Sequence, residues 1–161
     1  MQALYIRAPK HRMTTPARKR TLPPAAEHSV RYARQREADR TAVSEDYVEL
    51  IADMLREEGE ARAVDIARRM GVSQATVTVT IARLKRDGLV DSKPYRGVFL
   101  TAEGHTMAET ARHRHDLVVR FLIAVGLDAE TAEQDAEGLE HHASGKALAA
   151  FARFLARKGR V

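Results

Sequence analysis

The order of elements between residues 61 and 101 constrains the fold most. Residues 61–86 predict a helix, a tight turn and a second helix, because apolar side chains recur at helical spacing on both sides of Gly71 and Ser73 can cap the second helix. Two short apolar runs then flank the turn Pro-Tyr-Arg-Gly at 94–97, which predicts a β-hairpin. With a further helix at about 44–58, the order helix, helix, helix, hairpin predicts a winged helix-turn-helix.

The second helix of this unit has an outward face of small, uncharged or basic side chains, unlike the mixture of Glu and Lys that is usual on a solvated helix. Such side chains can approach base edges in the major groove, and Val79 can touch a thymine methyl. Residues at the hairpin tip can reach phosphate or the minor groove. An ordinary αα-hairpin is the alternative. The candidate DNA-contacting residues are Ser73, Gln74, Ala75, Thr76, Thr78, Val79, Arg83, Lys93, Tyr95 and Arg96.

The segment before the first helix differs in character from the rest of the chain. Residues 1–40 contain four prolines and lack sustained apolar periodicity, so we expect them to be mostly unstructured. They carry ten Lys or Arg against three acidic residues, whereas residues 41–60 carry one Arg against seven acidic residues. The basic segment is either a solvated tail without a specific role, an arm that contacts DNA phosphates, or a segment that neutralises the acidic helix.

Three more helices are predicted after the hairpin, from about 102 to 125, from Asp128 to about 143, and from Ser144 onward. Their apolar surface is too large for so short a segment to bury alone, which predicts a C2 homodimer. The predicted fold is mainly α, with an N-terminal winged helix-turn-helix and a β-hairpin wing, followed by an all-α dimerisation domain. The predicted divisions are a basic extension at 1–40, a DNA-binding domain at 41–104 and a helical metal-binding and dimerisation domain at 105–161.

Composition excludes several kinds of site. The chain has no Cys, which agrees with a reducing cytosol and excludes thiolate zinc sites and cysteine nucleophiles. No apolar run approaches the roughly 20 residues of a membrane span, and residues 1–10 lack the apolar core of a signal peptide. We therefore expect a cytoplasmic protein without a membrane partner or a small-molecule substrate.

The stretch 135–142 contains side chains that could bind the same metal ion. Glu137, Glu140 and His141 stand at i, i+3 and i+4, and so they lie on one face of a helix. An exposed acidic face with a His pair would have the same spacing. Potential ligands elsewhere in the chain must therefore distinguish a metal site from a solvated face. Asp46 and Glu49 form an acidic face on the first helix, and His115 borders the apolar face of helix 102–125.

Six potential ligands thus fall on three helices. They comprise four carboxylates and two imidazoles, a hard, oxygen-rich set that suits Mn(II) or Fe(II) better than thiolate-seeking metals. Two divalent cations would neutralise four carboxylates that otherwise repel one another. The six are Asp46, Glu49, His115, Glu137, Glu140 and His141.

The chain resembles the diphtheria toxin repressor family of metalloregulators, and more closely its manganese transport regulator branch. The resemblance is carried by Glu45 to Glu49, Asp65 to Ala67 with the recognition segment that follows, Tyr95 to Thr101, Arg114-His115 and Asp135 to His142. It implies that the six ligands bind a paired manganese site, two Mn(II) ions per chain. Iron-sensing relatives commonly have Met where Asp46 stands and Cys where Glu140 stands, so the oxygen donors here favour manganese over Fe(II).

The sequence therefore predicts a manganese-responsive repressor of metal uptake genes that binds double-stranded operator DNA as a homodimer. An iron-responsive regulator of the same family is the nearest alternative. A metal-independent winged-helix regulator is another. A dinuclear metallohydrolase is the alternative from a different class, because carboxylate-bridged metal pairs can activate water. No substrate site or nucleophile motif accompanies the carboxylates, and a wing has no purpose in such an enzyme.

Overall fold

The structure is a computed structural model that describes residues 22, 24–92 and 97–159. Helices dominate it, and the only sheet among the described residues is a two-stranded hairpin. The predicted fold class is confirmed. In chain order the elements are α1 (Ala25–Glu58), α2 (Ala63–Met70), α3 (Gln74–Arg86), β1 (Val90–Ser92), β2 (Val98–Leu100), α4 (Ala102–Val125), α5 (Ala129–His142) and α6 (Gly145–Lys158).

The winged-helix unit is built from α1, α2, α3 and the hairpin. The turn between α2 and α3 passes through Gly71 at φ 66°, a left-handed conformation that glycine adopts at little cost. The side chain of Ser73 caps α3 by accepting from the backbone N–H of Thr76 at 3.1 Å. Strands β1 and β2 are antiparallel, and Val90 pairs with Leu100. Side chains from all these elements share one core, so the predicted helix-turn-helix and wing are confirmed.

Helix α1 is longer than the sequence pattern predicts. It begins at Ala25 rather than near Ser44, so residues 25–40, expected to be mostly unstructured, are helical. None of the residues from 25 to 43 is buried, which is why apolar periodicity misses them. This stretch has no Gly or Pro and is rich in Ala and Arg. Its high helix propensity therefore lets the helix extend outward from the packed part of α1. The remainder of the basic extension lies outside the described residues, apart from residues 22 and 24.

Helix α4 connects the winged-helix unit to the C-terminal helices. Ala108 belongs to the core of the winged-helix unit, whereas Val118 and Leu122 pack with α5 in a second core. Because α4 runs without a break through the predicted division between residues 104 and 105, the proposed domain limits remain a prediction. The bounds predicted for α4 are confirmed, since Thr101 caps its start and Gly126 follows its end.

Helix α6 contributes apolar side chains that the chain does not fully cover. Phe151 stacks on Phe121 of α4 with 4.0 Å between ring centroids, yet no residue of α6 is buried. Ile123 and Leu139 are each more than two-fifths exposed. Apolar surface left open on a folded unit is typical of an association face. Among the described residues, no helix combines the length and the apolar composition that a membrane span requires.

Gly104 fixes the approach of α4 to the wing, and we expect Gly104→Ala to lower the free energy of unfolding by about 1–3 kcal/mol. A Cβ at this position would overlap the carbonyl oxygen of Leu89, which already accepts from the backbone N–H of Thr101 at 3.1 Å. Urea unfolding measures the change. Gly138→Ala is the matched control, because a Cβ there meets nothing within 4 Å, so stability should hold or rise. Equal stability of the two variants would contradict the close contact.

Candidate metal centre

Helices α1, α4 and α5 meet around a cleft of about 520 Å³. Five of the six predicted ligands line it: two from α1, one from α4 and two from α5. The cleft therefore brings together side chains that are nearly a hundred residues apart in sequence. These five residues are Asp46, Glu49, His115, Glu137 and Glu140.

The sixth predicted ligand, His141, joins the group from the side. Its Nε2 atom lies 3.0 Å from Oδ1 of Asp46 and 3.4 Å from Oε1 of Glu140, both of which line the cleft. Glu140 is the central carboxylate, only 2% exposed, and its Oε2 lies 2.9 Å from Nδ1 of His115. One buried carboxylate thus contacts both imidazoles.

The electrostatics of the cleft favour a cation. Burial raises the pKa of Glu49 to about 7, and the negative charge of Glu140 adds to the increase. Burial also raises the pKa of Asp46 and of Glu140, partly offset by the nearby imidazoles. These carboxyl groups hold their protons more tightly than usual because their charged forms are poorly solvated and repel one another. A bound cation would oppose both effects and release the protons.

The pKa values of the two imidazoles are also raised. Burial is the largest single effect on the pKa of His141 and lowers it, but the hydrogen bond to Glu45 and the charges of Asp46 and Glu140 outweigh it, so the pKa is raised. The pKa of His115 is raised against burial by its hydrogen bond to Glu133 and by the surrounding carboxylates. Both rings are therefore embedded in negative charge.

The side chains bond to one another in this conformation. Among residues 24–92 and 97–159, no three Asp, Glu or His side chains surround one point as a metal ion requires. The type of donor fits a hard divalent cation, however, because four carboxylates and two imidazoles converge, and the described residues include no Cys. Met70 also lines the cleft and is its one soft donor among the described residues. Binding would exchange hydrogen bonds between His and carboxylate for metal bonds, with small side-chain movements.

Two carboxylates that contact the imidazoles are absent from the predicted set. Glu133 accepts from Nε2 of His115 at 2.7 Å, and Glu45 accepts from Nδ1 of His141 at 2.8 Å. Glu133 stands one helical turn before Glu137, so helical spacing could have found it. Glu45 has no such signal, because its partners lie on other helices.

The predicted DNA-contacting residues occupy two environments. Residues 73–76, Thr78 and Val79 are exposed on α3, and Val79 is 71% exposed although it is apolar. Arg83 differs, because it is partly buried and its Nη2 lies 3.4 Å from the hydroxyl of Ser44 on α1. The predicted wing-tip residues Lys93, Tyr95 and Arg96 lie outside the described residues.

Comparison with known proteins agrees with this architecture. Residues 39–98 match the family model described as the iron dependent repressor N-terminal DNA binding domain. Residues 101–158 match the iron dependent repressor metal binding and dimerisation domain. The chain therefore carries a DNA-binding unit followed by a unit that binds metal and dimerises.

Curated relatives with these features are transcriptional regulators. The chain is 50% identical over 133 residues to the transcriptional regulator MntR of Escherichia coli O6:H1, covering 83% of this chain and 86% of that protein. It is 36% identical over 108 residues to the HTH-type transcriptional regulator MntR of Bacillus subtilis strain 168, covering 67% of this chain and 76% of that protein.

Solved structures show the same fold. A manganese-dependent transcriptional repressor in complex with manganese is 30% identical, with a TM-score of 0.61 over 70% of this chain and 52% of that chain. The manganese regulator SloR is 27% identical, with a TM-score of 0.61 over 70% of this chain and 53% of that chain. The chain thus spans about half the length of these two solved relatives. The protein belongs to the diphtheria toxin repressor family of iron dependent repressors, in its manganese transport regulator branch, and is a DNA-binding transcriptional regulator rather than an enzyme.

Proposed function

We propose that this cytoplasmic homodimer represses metal uptake genes when Mn(II) binds the cleft and activates it for operator DNA. The position of the cleft is the observation that carries the proposal. Asp46 and Glu49 belong to the helix that opens the winged-helix unit, whereas the other candidate ligands belong to α4 and α5. An ion shared by these side chains would link the DNA-binding unit to the helices that dimerise.

Six residues would hold the metal, two ions per chain. Mn(II) suits them because carboxylate oxygens are hard donors, and two divalent cations would balance four carboxylates. The raised pKa of Glu49 supports this assignment, since it arises from burial and from repulsion by Glu140, and a bound cation would oppose both. Fe(II) is the alternative ion. The proposed ligands are Asp46, Glu49, His115, Glu137, Glu140 and His141.

Metal control of DNA binding follows from the geometry of a symmetric dimer. Two recognition helices reach successive major grooves only if their separation is about 34 Å or a multiple of it. When Asp46 and Glu49 are held against α4 and α5, α1 loses freedom and the two winged-helix units take fewer relative positions. The metal-bound state favours the spacing that fits DNA, and linkage requires that DNA also tighten metal binding.

The exposed face of α3 would read the bases. We expect Val79→Ala and Gln74→Ala to relax the preference at particular base pairs, each by about 1–3 kcal/mol. Gel shifts on single-substitution operator variants measure the preference. Arg96→Ala, at the predicted tip of the wing, is the comparison variant. It should weaken binding to all sequences and reduce the salt slope by about one unit per lost phosphate contact. A uniform loss in all three variants would contradict the assignment of base contacts.

Metal titration of DNA binding tests the proposed function. Gel shifts with an operator fragment should show binding that tightens with Mn(II) and tightens less with Zn(II). The same measurement with Fe(II) under anaerobic conditions distinguishes a manganese-responsive regulator from an iron-responsive one. Binding that is equal with and without each metal would overturn the proposal and favour a metal-independent winged-helix regulator.

A further inference from the structure

We propose that Glu45 is a positioning residue that sets the ring of His141 for metal binding and ties α1 to α4 and α5. Glu45 is not among the six candidate ligands, although it directly precedes one of them, Asp46. Its role rests on the proposed function, because His141 is one of those ligands.

The hydrogen bond to Glu45 determines which nitrogen of the His141 ring carries the proton. Oε2 of Glu45 lies 2.8 Å from Nδ1 of His141, while Nε2 of the same ring lies 3.0 Å from Asp46 at the cleft. A neutral imidazole has one N–H and one lone pair. With Nδ1–H donating to Glu45, the lone pair is on Nε2 and points to the cleft. A carboxylate behind a ligating histidine commonly fixes its tautomer and orientation in metal sites.

Glu45 lies behind the ring rather than in the cleft. It does not line the cleft but contributes to a separate surface depression together with Leu89, Ala102 and Met107. It is also 6% exposed, and a carboxylate is rarely this buried without compensation. These observations separate Glu45 from the candidate ligands, whose carboxylates face the cleft.

Arg114 supplies the compensating charge. Its Nη2 lies 2.6 Å from Oε2 of Glu45, but neither Nη2 nor Nε of Arg114 has a well-aligned hydrogen bond to any described residue. The Arg114 contact is therefore an ion pair, and the His141 contact is the directed hydrogen bond. The carboxylate is aligned to the histidine, and the arginine offsets the charge that this alignment buries.

The same carboxylate connects three helices. Glu45 is on α1, Arg114 is on α4 and His141 is on α5. The connection uses no metal, so α1 already has a preferred position against the dimerisation helices before an ion binds. Glu45 would thereby reduce the ordering that metal binding requires, as preorganisation does in general.

Three variants of the full-length protein separate positioning from a merely structural ion pair. Glu45→Ala removes both contacts. Glu45→Gln keeps a carbonyl acceptor for Nδ1–H but loses the charge that pairs with Arg114. Arg114→Met removes the ion pair and leaves the bond between Glu45 and His141. The readouts are the ring ¹⁵N NMR signals of His141 without metal, at a pH where the ring is neutral, and the Mn(II) dissociation constant without DNA.

We expect wild-type His141 to carry its proton on Nδ1 and Glu45→Ala to lose that preference, with Mn(II) affinity about 10- to 100-fold weaker. Glu45→Gln should restore the tautomer and bring the affinity to within a few-fold of wild type, and Arg114→Met should keep the wild-type tautomer. An Nε2–H tautomer in the wild type would overturn the proposal, whether or not any variant folds. So would equal losses of affinity in Glu45→Ala and Arg114→Met with an unchanged tautomer.

His141→Ala distinguishes failure of this inference from failure of the proposed function. If His141→Ala binds Mn(II) as tightly as wild type, the ligand assignment fails and the role of Glu45 in metal binding fails with it. If His141→Ala loses affinity while Glu45→Ala keeps both tautomer and affinity, the metal site stands and only the role of Glu45 is overturned.

Discussion

Glu140→Ala is expected to abolish Mn(II)-dependent DNA binding while the dimer and its helix content remain. Glu140 is 2% exposed and contacts the imidazoles of His115 and His141, so its loss removes a proposed ligand and releases both rings. Changing groups behind the ligands of a metal site typically costs 10- to 100-fold in affinity, so loss of the central ligand should cost at least about 100-fold. Glu137→Ala and His141→Ala should fail in the same way. Mn(II) titration of operator binding, with circular dichroism and a mass measurement in solution, tests all three variants.

The control is Glu130→Ala, which removes an exposed acid from the first turn of the same helix. It should keep the Mn(II) response, with at most a loss of about 1 kcal/mol in stability from the helix dipole. A full Mn(II) response in any two of the three site variants would show that the ligands have been assigned wrongly.

Asp46→Met combined with Glu140→Cys is expected to change which metal activates the protein. Asp46 and Glu140 both line the cleft, and Nε2 of His141 lies between them at 3.0 and 3.4 Å. The double change replaces two hard oxygen donors with sulfur donors and leaves the other four proposed ligands in place. The affinity for softer or iron-like ions should therefore rise relative to that for Mn(II). We expect Mn(II) affinity to fall by at least about tenfold relative to Fe(II) or Zn(II), which is the lower end of the range for changes behind a ligand.

Metal affinity measured by competition without DNA gives the ranking directly, under anaerobic conditions for Fe(II). Glu137→Gln is the comparison variant, because it reduces the ligand charge and keeps an oxygen donor at the cleft. It should lower the affinity for every ion without changing their ranking. An unchanged ranking in the double variant would mean that geometry, rather than donor type, sets the selectivity.

The helix limits after the wing follow from local chemistry and were therefore predictable. Thr101, Asp128 and Ser144 each accept a backbone N–H with their own side chain, and Gly126 adopts a positive φ that few other residues tolerate. These signals depend on residues three or four positions apart. The start of α1 was missed for the converse reason, since its exposed turns have helix propensity but no apolar stripe to reveal them.

Helical spacing also placed Glu137, Glu140 and His141 on one face without knowledge of any neighbour. What the sequence determined about this protein is thus what one helix decides by itself: its limits, its faces and the types of ligand that it offers. Contacts between helices depend on the packing distance and rotation of whole elements. Only the tertiary structure could show that Arg83 turns toward Ser44 and that Glu45 lies behind His141, because these pairs are 39 and 96 residues apart.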